Sequence, residues 1–304
     1  MKKINLAITG CLGKMGQQLI ISTKSNKNFK LVTLTENKII NKKVAGIKLD
    51  LNRVEAFKEV DVIIDFTIPK CTLEILKIAS KIKKKVIIGT TGFTQKEEKL
   101  IKEYSKKIPI LKAGNMSLGI NLLMYLTEIA SGSLGDNYLS KVFEIHHKHK
   151  KDYPSGTALM LGKGIADGKN KNLYNLIGKK FLNKKSFPFG KKINFNSVRK
   201  GEIIGQHEVT FSNGKSKNLY NLIGKKFLNK KSFPFGKKIN FNSIRKGEII
   251  GKHEVIFSSG KEIITLNHEA FDRALYSDGA LTAAKWLTNK RAGLYSMRDL
   301  LNFK

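Results

Sequence analysis

Apolar residues come in short blocks along the first part of this 304-residue chain. Residues 4–9 (INLAIT) form an apolar run closed by Gly10, the pattern of a strand buried on both faces. Blocks at 30–35 (KLVTLT), 61–66 (DVIIDF), 86–89 (VIIG) and 109–112 (PILK) predict four more strands. Residues 14–25, 70–82 and 94–107 carry apolar positions at helical spacing. Strand and helix in alternation predict an α/β fold built on a doubly wound parallel sheet with right-handed crossovers. Residues 118–132 read as a further helix. From about 140 to 270 the pattern is rich in strands, with one helix near 155–167, and helix returns in the last 30 residues. This organisation predicts a first domain over 1–117, completed by 271–304, and a second over 118–270.

A repeat complicates the second domain. Residues 171–216 and 217–262 are nearly the same sequence, differing at five of 46 aligned positions: Val198/Ile244, Gln206/Lys252, Thr210/Ile256, Asn213/Ser259 and Ser216/Glu262. Two copies are too few for a solenoid, which needs about three stacked units. The pair reads as a tandem duplication inside one domain. Each copy contains KINFNSxRKGEIIGxHEVxF, the pattern of two short strands around a glycine-containing turn. Copy two runs directly into Glu262-Ile263-Ile264, so the expectation is that it takes the ordinary place. Copy one then becomes an excursion after a helix ending near Gly168; the opposite threading is nearly as consistent, because either copy could pair first with the strand at 140–147.

Candidate chemistry begins where the first strand ends. Gly10-Cys11-Leu12-Gly13-Lys14-Met15-Gly16 is a glycine-rich turn leading into a helix. Such glycines let the backbone turn sharply and approach a pyrophosphate, which the helix N-terminus then receives. The spacing is GxxGxxG rather than GxGxxG. Glu36 follows the second strand, 20 residues beyond Gly16, where a carboxylate would accept adenosine-ribose hydroxyls. Lys38 stands close enough in sequence to neutralise a 2′-phosphate, so both NADH and NADPH are admitted. Gly89-Thr90-Thr91 and Ala113-Gly114-Asn115-Met116 also fall at strand ends, where open α/β sheets place ligands.

Charge changes this picture less than its size suggests. The net charge is +33, with 57 lysines and arginines against 24 acids. Arginine occurs only at 53, 199, 245, 273, 291 and 298, and the lysines are spread along the whole chain. That distribution describes solvated faces rather than a phosphate-tracking patch, so no specific nucleic-acid partner is expected. No run approaches the roughly 18 apolar residues of a membrane span, and the N-terminal MKKINLAITG reads as a strand and turn rather than a signal peptide. Cys11 and Cys71, the only cysteines, form no CxxC pair and no disulfide framework, which fits a cytoplasmic protein. Cys11 reads as a small residue in a tight turn, with a reactive thiol as the alternative.

The densest chemistry lies at 144–157, Glu-Ile-His-His-Lys-His-Lys-Lys-Asp-Tyr-Pro-Ser-Gly-Thr, with three of the six histidines. In an extended strand His147 and His149 share one face and His146 the other. No third ligand of suitable type accompanies them, so no metal site is expected. An acid beside an anion pocket is the better reading: a histidine donates a proton near neutrality, and Lys150 supplies a fixed positive charge. Pro154-Ser155-Gly156-Thr157 reads as a helix start with Ser155 as N-cap, able to receive a carboxylate.

The segment HHKHKKDYPSGTAL resembles the signature of the 4-hydroxy-tetrahydrodipicolinate reductase (dihydrodipicolinate reductase) family. ITGCLGKMG, DFTIP, VIIGTTGF, AGNMSLGIN, IRKGEIIGKHEVIF, FDRALYSDGALTAAKWL and GLYSMRDLL follow in the family's order. The resemblance implies a Rossmann-like domain, a mixed α/β domain for substrate binding and oligomerisation, and a homotetramer. It implies hydride transfer from NADH or NADPH to an unsaturated cyclic dicarboxylate in lysine and diaminopimelate biosynthesis. By the same resemblance, His146 is the proton donor and Lys150 the second catalytic residue. His147, Ser155, Gly156 and Thr157 bind substrate. Gly10 to Met15, Glu36, Gly89 to Thr91 and Ala113 to Met116 bind cofactor. Tyr153 stands where the family has a small residue, Asn37 where an arginine often follows the acid, and the repeat is outside the pattern. Two other readings remain at this point: another dehydrogenase of a small amino or carboxylic acid, and a dinucleotide-binding chain disabled by the duplication.

Overall fold

The computed structural model describes residues 2–38, 40–134, 139–145, 154–176, 195–197, 206–212, 251–258, 263–270 and 272–303. They form two compact units, Met1–Asn121 with Arg273–Lys304, and Leu122–Asp272.

The first unit is built on seven strands. β1 (Ile4–Thr9) leads through a turn into α1 (Lys14–Ser25) and β2 (Phe29–Glu36). A small ribbon of β3 (Lys43–Val44) and β4 (Ile47–Lys48) precedes β5 (Asp50–Leu51) and the single turn α2 (Val54–Phe57). Then come β6 (Val62–Asp65), α3 (Pro69–Lys81), β7 (Lys85–Ile88), α4 (Gln95–Ser105) and β8 (Pro109–Lys112). Near the C-terminus a helix (Ala274–Leu287) is followed by a last strand (Gly293–Tyr295) and a helical turn (Met297–Leu300). That last strand lies beside β8, then β7, β6, β1, β2 and β5 follow in order, and every pairing in this sheet is parallel. From β1 the chain builds outward to β2 and β5, then returns to the other side with β6, so the order reverses between β1 and β6. This is the Rossmann-like doubly wound arrangement.

The apolar blocks explain why these strands are central. Leu6, Ile8, Val62, Ile64, Ile87 and Leu111 join one core with Leu19 of α1 and Ala280, Ala283, Ala284 and Leu287 of the C-terminal helix. The alternate positions Ala7, Ile63, Val86, Ile88 and Ile110 join a second core with Ile75, Leu76 and Ala79 of α3 and Ile101 of α4. Each large side chain fully buried in this way contributes about 1.5–3 kcal/mol. Alternation within unbroken apolar runs therefore covers both faces of the sheet with helices. α4 starts on a capping box, in which Thr94 accepts from the Glu97 N–H and Glu97 accepts from the Thr94 N–H at 2.7 Å. β5 and the Gly293–Tyr295 strand were not among the five expected.

α5 (Leu118–Leu134) belongs to the second unit from Leu122 onward and there packs on α6 (Gly156–Gly168), where the Ser131 hydroxyl donates to the Ile165 carbonyl at 2.8 Å. A short α7 (Leu173–Leu176) follows. Among the described residues five strands form the sheet: β9 (Leu139–Ile145), β10 (Phe195–Ser197), β11 (Gln206–Ser212), β12 (Gly251–Ser258) and β13 (Ile263–Ala270), in the order β10-β9-β11-β12-β13.

β11 belongs to the first repeat copy and β12 to the second, and they pair with each other. The ladder is parallel and sets each residue against its own equivalent: His207 with His253, Glu208 with Glu254, Val209 with Val255. β11 is antiparallel to β9 and β12 is antiparallel to β13. The expectation that copy one leaves the fold as an excursion is therefore corrected, because its strand sits inside the sheet. The physical reason is symmetric competence: two strands of nearly equal sequence carry equal patterns, and a strand with partners on both sides satisfies its N–H and C=O groups. Copy one also supplies α7 and β10, whereas β12 is the described part of copy two; the remaining segments of both lie outside the described residues.

Candidate functional site

In a parallel sheet every strand ends at the same edge, so the loops after β1, β2, β6, β7 and β8 gather there. Open α/β sheets bind ligands at this edge, beside the point where strand order reverses. Here that point lies between β1 and β6.

The turn after β1 is tightly specified. Gly10 has φ +61°, a left-handed conformation that glycine takes without steric cost. The Gly13 N–H donates to the Gly10 carbonyl at 3.0 Å, and the Cys11 N–H donates to the Thr35 carbonyl of β2 at 3.3 Å. Gly16 sits against the turn: a Cβ there would lie 2.4 Å from the Gly10 oxygen and 2.7 Å from the Cys11 Cα. The helix therefore starts directly under the turn. α1 has no side-chain cap and no acid in its first turn. Its N-terminal end keeps its positive character for an anion.

Glu36 ends β2, and its carboxylate accepts the Leu12 N–H at 2.7 Å. This contact ties the acid to the turn. The residue is half-buried, while Asn37 and Lys38 beyond it are exposed. Cys11 is fully buried in the core, so only its backbone serves the turn. Burial, reinforced by the neighbouring charge of Glu36, pushes the Cys11 thiol up to about 12. That pressure on the thiolate removes the reactive-thiol alternative.

Two further loops complete this edge. The Thr90 hydroxyl is turned inward and donates to Asp65 at 3.0 Å, whereas Thr91 is exposed. Ala113 to Met116 is held by Asn121, whose amide donates to the Asn115 carbonyl at 2.9 Å and to the Ser117 carbonyl at 2.7 Å. Asn115 accepts the Ser117 N–H at 2.8 Å, and the Met116 side chain is buried in the core. All the residues expected to hold cofactor thus lie in four loops and strand ends along one edge of one unit. Their backbones, the Glu36 carboxylate and the exposed side chains of Lys14 and Thr91 are available to a dinucleotide, and the residues present fit one.

Asp65 is not among the residues that the sequence pattern marks. It ends β6 fully buried and accepts hydroxyls from Thr9, Thr67, Thr72 and Thr90. The available signal was an acid closing an apolar strand with threonines at both neighbouring strand ends.

In the second unit, Ser155 caps α6: its buried hydroxyl accepts the Ala158 N–H at 3.1 Å. Gly156 opens the helix and is exposed, and Thr157 follows in the first turn. The positive end of the helix dipole favours an anion at this position. His146, His147 and Lys150 lie outside the described residues. Among the described residues there is no group of three or more His, Cys, Asp or Glu able to hold a metal, and no helix long and apolar enough to cross a membrane.

Comparison with known proteins decides the family. Residues 4–116 match the model for the N-terminal part of dihydrodipicolinate reductase, and residues 119–237 and 214–301 each match the model for its C-terminal part. The chain belongs to the dihydrodipicolinate reductase family. The C-terminal family model thus matches two stretches of this chain, each containing one whole repeat copy. A curated relative from Pelagibacter ubique, named 4-hydroxy-tetrahydrodipicolinate reductase, is 70% identical over 304 residues and covers 100% of both chains. A relative of the same name from Buchnera aphidicola subsp. Schizaphis graminum is 37% identical, covering 100% of this chain and 99% of its own. Among solved structures, dipicolinate-bound dihydrodipicolinate reductase from Paenisporosarcina aligns with a TM-score of 0.69 at 20% identity over 100% of both chains. That likeness establishes the fold common to the family.

Proposed function

We propose that this chain reduces 4-hydroxy-tetrahydrodipicolinate to tetrahydrodipicolinate with NADH or NADPH, in the route to diaminopimelate and lysine. The observation that carries the reading is the turn after β1, closed under Gly16 and tied to Glu36 through Leu12. It supports a pyrophosphate on the α1 N-terminus and ribose hydroxyls on Glu36, in a chain of this family. Gly10 to Met15, Gly89 to Thr91 and Ala113 to Met116 complete the cofactor site. In the Cys11, Thr90 and Met116 positions the backbone does the work, because the side chains point into the protein.

Bound nicotinamide supplies the hydride. The substrate's 4-hydroxyl leaves as water to give the conjugated ring, the hydride adds at that carbon, and His146 delivers the accompanying proton to the carbon next to it, a role suited to an imidazole near neutrality. Lys150 stabilises charge that develops on the substrate. Ser155, Gly156 and Thr157 receive a substrate carboxylate at the α6 N-terminus, and His147 contacts the same substrate. The neighbour named for bound dipicolinate, a cyclic dicarboxylate, supports this substrate class.

We assign cofactor binding to 1–117 with 271–304, and substrate binding and homotetramer assembly to 118–270, in a cytoplasmic enzyme. The repeat at 171–216 and 217–262 is read as a tandem duplication within the substrate domain. The test is a nicotinamide absorbance assay on purified protein with each cofactor, with wild type against His146→Gln. The expected result is substrate-dependent oxidation of NADH or NADPH, and a kcat in the variant lowered far more than the cofactor KM is raised. Dinucleotide binding without turnover in wild type overturns the assignment in favour of a disabled chain.

A further inference from the structure

Asp65 is a carboxylate with no exposure, placed on β6 where the strand order reverses. Its Oδ1 accepts the Thr9 hydroxyl at 2.7 Å and the Thr67 hydroxyl at 2.7 Å. Its Oδ2 accepts the Thr72 hydroxyl at 2.5 Å and the Thr90 hydroxyl at 3.0 Å. An ionised carboxylate offers about four lone-pair sites and no donor, so four hydroxyls fill it. Burying such a group is costly unless it is fully met by donors, and here it is.

The four donors come from four separate segments: the end of β1, the loop after β6, α3, and the loop after β7. Thr9 immediately precedes Gly10. Thr90 is the centre of the Gly89 to Thr91 loop, and its oxygen also accepts the Thr67 N–H at 2.9 Å. The Gly89 N–H in turn donates to the Asp65 carbonyl at 2.8 Å. Thr67 closes the cluster from the other side, since a Cβ on Gly10 would meet its methyl group at 2.7 Å. Thr9 and Thr90 thus tie the carboxylate to the two segments expected to face cofactor, while Thr67 and Thr72 anchor it to the loop after β6 and to α3.

We propose that Asp65 is a positioning residue of the dinucleotide site: it sets the distance between the Gly10 turn and the Gly89 to Thr91 loop without touching the ligand. The proposal rests on the reading that these two loops hold the cofactor. The competing role for such a residue is plain stabilisation of the sheet, and the two differ in what they do to affinity.

The experiment measures NADH and NADPH dissociation constants by nicotinamide fluorescence, together with steady-state kinetics and Tm, on the full chain. Thr90→Val keeps the shape and loses the hydroxyl, Thr90→Ser keeps the hydroxyl, and Asp65→Asn keeps the shape and loses the charge. Ile75→Val in the α3 core serves as a stability control. The expected result is a cofactor Kd raised at least about tenfold in Thr90→Val, which loses the bonds to Asp65 and to the Thr67 N–H, and in Asp65→Asn; tenfold is the size of one lost buried hydrogen bond. The cofactor KM rises in step with the Kd, and Thr90→Ser restores the wild-type Kd. Equal loss of Tm in Thr90→Val and Ile75→Val with no change in Kd overturns the proposal, as does Thr90→Ser behaving like Thr90→Val. If Asp65→Asn fails to fold, the Thr90 pair decides alone. Glu36→Ala separates the underlying reading: an unchanged Kd there removes the cofactor site itself, whereas a weakened Kd with an unaffected Thr90→Val removes only the role of Asp65.

Discussion

Replacing Gly16 by alanine tests the cofactor turn most directly. The added Cβ would sit 2.4 Å from the Gly10 oxygen and within 2.7–2.8 Å of the Cys11 backbone, where ordinary contacts begin at 3.4 Å. The crowding atoms are backbone on both sides, so no side chain can swing away. α1 and the turn must separate by about 1 Å. Overpacking of this kind costs about 1–3 kcal/mol. Alanine returns about 1 kcal/mol through its helix propensity. The net loss of about 0–2 kcal/mol lowers Tm by only a few degrees at this size. Binding suffers more, because misplacing ligand-holding groups by about 1 Å reduces catalytic efficiency about a hundredfold. Gly13→Ala meets a single contact at 3.2 Å and serves as the milder comparison. Expected from cofactor titration and a thermal melt is a Kd raised at least about tenfold in Gly16→Ala, with substrate KM little changed and Tm nearly kept. Wild-type affinity in a folded Gly16→Ala protein refutes the placement of pyrophosphate on this turn.

Two further outcomes follow from burial. With the Cys11 thiol pushed up to about 12 and burial raising that of Cys71 as well, native protein at pH 8 should give almost no fast reaction with Ellman's reagent. The Cys11 thiolate fraction falls from about a quarter, for a free thiol, to about one in ten thousand. Both thiols should titrate in guanidinium, and a fast equivalent in the native state contradicts the packing. Burial also holds the His268 imidazole below its ordinary value. The unfolded chain then binds the proton more readily, so this contribution is present above about pH 6.5 and is lost as pH falls through the lower folded value. The Tm difference between wild type and His268→Gln should fall between pH 7.5 and 5, and a constant difference removes the effect.

How much the sequence reveals depends on how local the determining physics is. β1 and α1 are legible almost to the residue, because an unbroken apolar run and a glycine turn are local signals. Gly293–Tyr295 is not: three residues carry no periodicity, and the strand exists only because the edge of β8 is available to it. β11 fails for a related reason. Its sequence reads as a strand, but whether it enters the sheet depends on β9 and β12 taking it in register. In the site, Glu36 is found by its spacing from the glycine turn, and the Leu12 contact gives that spacing a cause. Asp65 escapes because its meaning lies in four hydroxyls separated by up to 81 positions along the chain, from Thr9 to Thr90. A single acid at a strand end has no local mark that distinguishes it from a solvated one.

The pairing of β11 with β12 also bears on inheritance. Val209 faces Val142 of β9, and Val255, 46 positions later, faces Leu266 of β13. A gene that lost one repeat unit through slippage in copying would encode a chain with a single such strand. Val142 and Leu266 would then flank one valine with the registers they already have, and that strand would run antiparallel to both neighbours. Gain and loss of the unit are thus the same step in opposite directions for this sheet, and its hydrogen-bond ladder carries no trace of which copy went.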